Sequence, residues 1–310
     1  HKTALGKEQQ SQTSNLIAES LLANVIVFEL FKEMTGVSES ETKSQFYLLN
    51  PETLEGSWHS FVPHPLVTGN VLVRQVQELD KRIETKSSNS DSNKWLMYFS
   101  QLTSKQSGIF HSWEEGDLPQ LPLAQCYVQV VNPKSEGPAE LLPKFTSAAL
   151  THEEARREAG LSGIEMYVSQ TINRLMTMQP ISEDINEHHY IGIGAGGNVA
   201  ESICRGVQKC LGDEFRSHQW KKRHPVIPVK LISVEDEQCQ YYLQVLKTMQ
   251  QETKIGLGRA VCGFPVVWVG TNEGRWHGSV GLNMTIALRT ALQETLQKLQ
   301  NKEERMESPS

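Results

Sequence analysis

The chain has few cysteines, and they follow no pattern. Cys126, Cys204, Cys210, Cys239 and Cys262 form no C-x-x-C pair among its 310 residues. That spacing argues against a structural zinc site, and the odd, scattered set reads as reduced, cytosolic thiols, mostly buried as small apolar residues. Long apolar runs are missing too. No stretch of about 18 apolar residues occurs, so no membrane span is expected. The opening "HKTALGKEQQSQTSN" has no apolar segment of the signal-peptide kind. The chain begins with His1 rather than Met, as a processed or excised piece would. Basic charge is also short. The net charge is −6, and the one basic cluster, Lys221, Lys222 and Arg223, reads as a solvated turn, so no nucleic-acid partner is expected. What remains is a cytoplasmic chain whose 38% hydrophobic residues suffice for a packed core in one large or two ordinary domains.

Residues 16–35 are apolar nearly all round, so the helix they predict should be buried on several sides, with Gly36 ending it. "QFYLLN" (45–50) and "GSWHSFVP" (56–63) predict two strands around an Asn50-Pro51-Glu52-Thr53 turn. Residues 65–85 predict a helix, and "KSSNSDSN" (86–93) is the linker candidate. "KWLMYFSQL" and "AQCYVQVV" read as strands, with "GIFHSWEEGDLPQLPL" between them as an extended surface segment and 132–147 as a loop. Thr151 then caps a helix to about Thr177, with Glu154 in capping-box position. A further helix runs from Val199 to Phe215. "VIPVKLISV" (226–234) reads as a buried strand, 236–250 as a helix, and "KIGLGRAVC" and "FPVVWVGT" as two more strands. The final helix is reached through "GSVGLN", and the tail 303–310 is expected to be disordered.

"YIGIGAGGNVAESICRGV" (190–207) holds G-x-G-x-x-G at Gly192, Gly194 and Gly197. A dinucleotide loop needs an apolar strand before the glycines and an acidic strand end about 20 residues after them. The approach is polar up to Tyr190, and Asp213 and Glu214 fall at a helix end. Two other readings stand beside that one: a tight strand-to-helix turn, or a helix start whose N–H groups receive an anion. The histidines His59 and His64 read as structural. The pair His188-His189 would point to opposite faces of a strand and share no metal.

Four stretches in order resemble YcaO-type domains of azoline-forming cyclodehydratases over roughly residues 108–300. They are "GIFHSWEEGDLPQLPLAQCYVQVVNP", "LTHEEARREAGLSGIEMY", "GGNVAESICRGVQKCLGDEF" and "FPVVWVGT…GSVGLNMTIALRTALQETLQ". Residues 16–65, with "ELFKEMTG" and "FYLLNPETLEGSWHSFVPHP", resemble the end of a ThiF-type, ubiquitin-activating-like domain. Together they are similar to maturation proteins of thiazole-containing bacteriocins. The resemblance implies an α/β (α+β) fold: a YcaO-like mixed sheet with flanking helices over 94–302, preceded by a ThiF-type remnant over 1–85.

It also implies a chemistry. A Cys, Ser or Thr side chain of a precursor peptide attacks the preceding amide, ATP phosphorylates the resulting oxyanion, and elimination leaves an azoline. Mg²⁺ held by helix glutamates supports that phosphoryl transfer. Carried over by position, the E-x-x-E-R of the first helix reads Ser162, Glu165 and Met166. The E-x-x-E of the second reads Lys209 and Gly212, and the R-x-x-x-E-x-x-Q of the last reads Thr290, Glu294 and Gln297. Only Glu165, Glu294 and Gln297 remain as nucleotide or magnesium residues, and the pocket reads as degenerate. Three readings follow. The chain is a partner protein that binds precursor peptide or an active cyclodehydratase. Or it is an active cyclodehydratase using Mg-ATP at a rearranged site. Or it is an unrelated nucleotide-binding α/β protein.

Overall fold

The computed structural model describes residues 16–37, 44–62, 79, 92–135, 139–178, 191–221, 225–272 and 274–307. Helix α1 (Leu16–Thr35) leads to a hairpin of β1 (Gln45–Leu49) and β2 (Gly56–Ser60). Helix α2 (Ser92–Leu102) precedes the antiparallel sheet β3 (Phe110–Glu114), β4 (Ala124–Val130) and β5 (Phe145–Ala149). Two long helices follow, α3 (His152–Met178) and α4 (Val199–Lys221). A second antiparallel sheet runs β6 (Ile227–Val229), β7 (Lys254–Leu257), β8 (Val266–Gly270) and β9 (Trp276–Val280), with α5 (Glu237–Thr248) between its first two strands and α6 (Met284–Glu307) after its last.

The expected α+β class is found, as three sheets with flanking helices. Each layer follows from side-chain size. Helix α3 turns Ala155, Ala159, Gly160 and Gly163 toward the first sheet, so Phe99 and Phe110 close directly over its backbone. That core also holds Leu102, Trp113, Val128 and Leu161. Helix α6 repeats Ala287, Leu288, Ala291, Leu292 and Leu296, a helical stripe that packs with Tyr242 and Leu246 of α5 and with Ile255, Val267 and Val269 of the second sheet.

Caps set where the helices start. Thr151 Oγ1 accepts the Glu154 N–H at 3.2 Å, Asn198 Oδ1 that of Glu201 at 2.8 Å, and Asn283 Oδ1 that of Ile286 at 2.9 Å. Asp236 caps α5 through the Cys239 N–H at 2.9 Å. Each fills one of the donor positions that a helix leaves open.

Several expectations need correction. "KWLMYFSQL" is helix α2, because Trp95, Phe99 and Leu102 form one helical stripe over Phe110 and Trp113. The segment read as extended surface contains β3, with Phe110 and Trp113 buried. The loop over 132–147 ends in β5, which starts at Phe145. "VIPVKLISV" keeps only three strand residues and lies outward, with Ile232 98% exposed. Strand β9 was not foreseen, and α6 runs on to Glu307. Helix α1 buries only Ala18 and exposes Ile26, Val27, Phe28, Leu30 and Phe31. Among the cysteines only Cys126 and Cys239 are buried. The helix expected over 65–85, save Leu79, lies outside the described residues, as do residues 86–91 of the linker, the His188-His189 pair and residues 308–310 of the tail.

Candidate functional site

Helices α3, α4 and α6 and strands β8 and β9 line an open cavity of about 870 Å³. Glu165 and Glu294 both line it. Gln297 does not. Its Nε2 donates to Gln125 Oε1 and to the Thr146 carbonyl, each at 3.3 Å, within a polar seam that ties α6 to the first sheet. Gln300 belongs to the same seam, bonding Leu123 through both its amide atoms. The expectation that Gln297 joins the other two therefore fails on geometry. Its amide serves two strands whose edge groups lie at the α6 interface.

Arg205 organises the floor of the cavity. Its Nε donates to Glu165 Oε1 at 2.6 Å and its Nη1 to Glu158 Oε2 at 2.5 Å, while Ser162 Oγ lies 3.5 Å from Nη2. Glu165 is 5% exposed, and the same Oε1 also accepts the Ala195 N–H at 3.0 Å. Burial opposes the Arg205 charge, but the bonds from Glu165 and Glu158 outweigh it and hold the guanidinium further into its charged form. Beside this group Arg157 bridges Glu158 at 3.2 Å and Glu201 at 2.5 Å. Burial pushes the Glu201 carboxyl up, yet the Arg157 and Gly197 bonds prevail and hold it below its ordinary value.

Glu294 faces the cavity from α6. Burial pushes its carboxyl above the ordinary range, against the opposing pull of Lys298 and Arg216. Lys209, Gly212 and Arg216 continue the Arg205 face of α4 at helical spacing. Trp268 and Trp276 supply an apolar wall, and Phe215 meets Trp268 edge-on at 5.7 Å.

The glycine turn has a steric explanation. A Cβ at Gly192 would stand 2.0 Å from the Gly206 carbonyl, and one at Gly194 1.9 Å from the Ser202 carbonyl. These glycines let the chain lie against the α4 backbone. Glu201 Oε2 already accepts the Gly197 N–H at 2.8 Å, so a carboxylate of the chain itself sits where an anion would. That occupies one N–H of this turn and counts against the anion reading of this helix start.

Sequence reasoning missed Arg205 and Glu201. Both carried a signal. Arg205 stands one turn before Lys209 on the same helix face, and Asn198-x-x-Glu201 is a capping pattern.

Magnesium prefers several hard oxygen ligands in open geometry. Here Glu158 and Glu165 each give one oxygen to Arg205, Glu158 gives its other to Arg157, and Lys209 stands at the next turn. Among the described residues no group of three His, Cys, Asp or Glu can hold a metal ion. The residues present do not fit magnesium.

No protein-family model matches the chain, and no curated protein matches its sequence. Its fold is similar to that of a heterocyclase solved in complex with substrate and cofactor, with a TM-score of 0.52 at 13% identity over 82% of this chain. The chain spans about half, 47%, of that heterocyclase's length. A second similar structure is YcaO from Methanopyrus kandleri, bound with AMPPCP and Mg²⁺, at a TM-score of 0.44 and 14% identity over 71% of this chain and 70% of that one. Among the described residues no helix is long and apolar enough to cross a membrane.

Proposed function

We propose that this chain is an accessory protein of azole or azoline peptide maturation, with a cavity that does not run Mg-ATP cyclisation by itself. It binds a precursor peptide or an active cyclodehydratase. The observation that carries this reading is the Arg205 guanidinium bonded between Glu158 and Glu165. A cyclodehydratase pocket needs free carboxylates to hold the metal that neutralises phosphate charge during transfer. In this cavity a side-chain cation already takes that negative charge. The fold shared with a heterocyclase supports the peptide-modification context.

In this reading residues 94–302 form the YcaO-like unit and 1–85 a ThiF-type remnant, with bacteriocin maturation as the setting. The exposed apolar residues of α1 suit a segment that packs against a further domain or partner.

The test is direct. The chain is incubated with Mg-ATP and a Cys-rich precursor peptide, and both ADP release and loss of water from the peptide are followed by mass spectrometry. The expected result is neither from the chain alone, and a higher azoline yield when it is added to an active cyclodehydratase with its own precursor. Mg²⁺-dependent water loss by the chain alone, abolished in Glu165→Gln, would overturn the accessory reading in favour of an active cyclodehydratase.

A further inference from the structure

Helix α1 has its polar and apolar sides reversed. The side that the chain covers holds Ala18, Val25, Glu29 and Lys32, with Ala18 buried and the other three half-buried. That side contains the ion pair of Lys32 Nζ with Glu29 Oε1 at 2.8 Å. The opposite side is open to water and apolar. Val27 is 66% exposed, Phe31 61% and Met34 81%. A surface helix ordinarily turns its apolar stripe inward and its charges outward. The outer side of α1 is therefore built to meet another apolar surface.

The open side has the spacing of a helix-pairing seam. Ile17, Ser20, Asn24, Val27, Phe31 and Met34 alternate steps of three and four residues, as the a and d positions of a coiled coil do. Leu16, Leu21, Phe28 and Leu30 flank that seam, and all four are exposed. Every charge of the helix, Glu19, Glu29, Lys32 and Glu33, falls outside both the seam and its flanks.

We infer that α1 pairs antiparallel with α1 of a second copy of this chain. A two-fold interface needs a patch that complements itself. Turned end for end about its midpoint, a second helix brings the partner's Ser20 level with Phe31 and the partner's Val27 level with Asn24. The partner's Ile17 then lies level with Met34. Each phenylalanine meets a small side chain, which is how facing layers interdigitate. A parallel pair would instead set Phe31 against the partner's Phe31 and leave a gap between the two serines. Asn24 is the one polar amide in the seam, and a single Asn at such a position fixes register at some cost in stability. The area suffices as well. At roughly 100 Å² for each large apolar residue of the seam and its flanks, the pair covers up to about 800 Å² on each chain, the size of a standard interface. A lipid surface suits α1 less, because helices that lie in the membrane interface carry lysine and arginine on their polar side. Here that side has three glutamates and one lysine. The partner of α1 is then the chain itself, and the accessory role of the cavity does not depend on it.

Sedimentation velocity of the full chain under reducing conditions, from about 1 to 100 µM, tests this. A reversible monomer–dimer equilibrium is expected. Val27→Glu, in the seam, should raise the dimer dissociation constant about tenfold or more. Ile26→Glu is the control, because Ile26 is as exposed, at 65%, but lies off the seam; it should leave the dimer intact. Ser20→Phe and Phe31→Ser should each weaken the dimer, and the double variant should restore it, since the swap rebuilds the same layers with the residues exchanged. That rescue also separates lost pairing from lost folding. A chain monomeric throughout, equal loss in Ile26→Glu and Val27→Glu, or no rescue by the double variant would overturn the inference. So would binding of the monomer to vesicles of phosphatidylcholine and phosphatidylserine. None of these outcomes touches the accessory role, which fails only on Mg²⁺-dependent water loss from precursor peptide by the chain alone.

Discussion

Removing Arg205 strips the Glu165 carboxylate of its charged partner. Glu165 has a side chain 6% exposed and keeps only the Ala195 N–H when the 2.6 Å bond to Arg205 is lost. Breaking a buried ion pair from one side costs about 3–5 kcal/mol. The Arg205 side chain is 21% exposed and borders a cavity that admits water, so the low end, about 3 kcal/mol, applies to Arg205→Met. Glu158 has a 38% exposed side chain and adds no more than about 0.5 kcal/mol. Glu165→Gln alone should cost about 1–2 kcal/mol, because Arg205 retains Glu158. The double variant should cost less than the sum, with a coupling of about 1.5–2 kcal/mol. Urea unfolding at fixed m-value measures all four corners of the cycle. The same variant gives a second readout: with Arg205 gone, Glu165 loses its cation and Glu158 keeps only Arg157, so Mg²⁺ should raise the melting temperature of Arg205→Met and leave wild type unmoved. A coupling within about 0.5 kcal/mol of zero, or equal stabilisation of wild type by Mg²⁺, would refute the view that Arg205 stands in for the metal.

Two further outcomes follow from packing and capping. Gly160→Ala gains helix propensity of about 1 kcal/mol, but its Cβ would sit 2.4 Å from the Phe99 ring, which is fully buried. Overpacking should win and leave the variant about 1–2 kcal/mol less stable, whereas Gly212→Ala, with nothing nearer than 3.7 Å, should be more stable than wild type by chemical denaturation. Asp236 pairs with Arg289 and caps α5, and that pairing, helped by the Cys239 cap and against the opposing effect of burial, lowers its carboxyl to about 2. A depressed carboxyl contributes stability above its unfolded value near 4 and loses it as pH falls toward about 2. Arg289 is 37% exposed, so Asp236→Asn should cost only about 1 kcal/mol at pH 7 after allowing for screening. The deficit should close between pH 4 and 2 in acid unfolding followed by circular dichroism, and a gap that persists at pH 2 would assign the effect to the cap instead.

Much of the fold was legible because its signals are local. Thr151, Asn198, Asp236 and Asn283 sit where caps belong, and α3, α4, α5 and α6 begin after them. Strand β4 lies where its sequence predicts a strand, and from Cys126 onward it alternates buried and half-buried residues. Helix α2 was misread because a nine-residue aromatic run fits either period, and only its contact with Phe110 and Trp113 selects the helix. Helix α1 shows the opposite failure. Its composition asks for burial on all sides, and the described chain leaves it exposed.

The sequence by itself determined which carboxylates are missing. Lys209 and Gly212 stand where the resemblance expects glutamates, and no packing can restore them. Only the tertiary structure decided what the retained residues do. Glu165 and Glu294 meet at one cavity while Gln297 turns to the strands, because a helix of this length faces a cavity with one stripe and a sheet with another. Arg205 reaches across 40 residues to Glu165 only because the fold brings these positions of α3 and α4 within side-chain reach. Pairing between charges depends on distance in space, and the sequence records only distance along the chain.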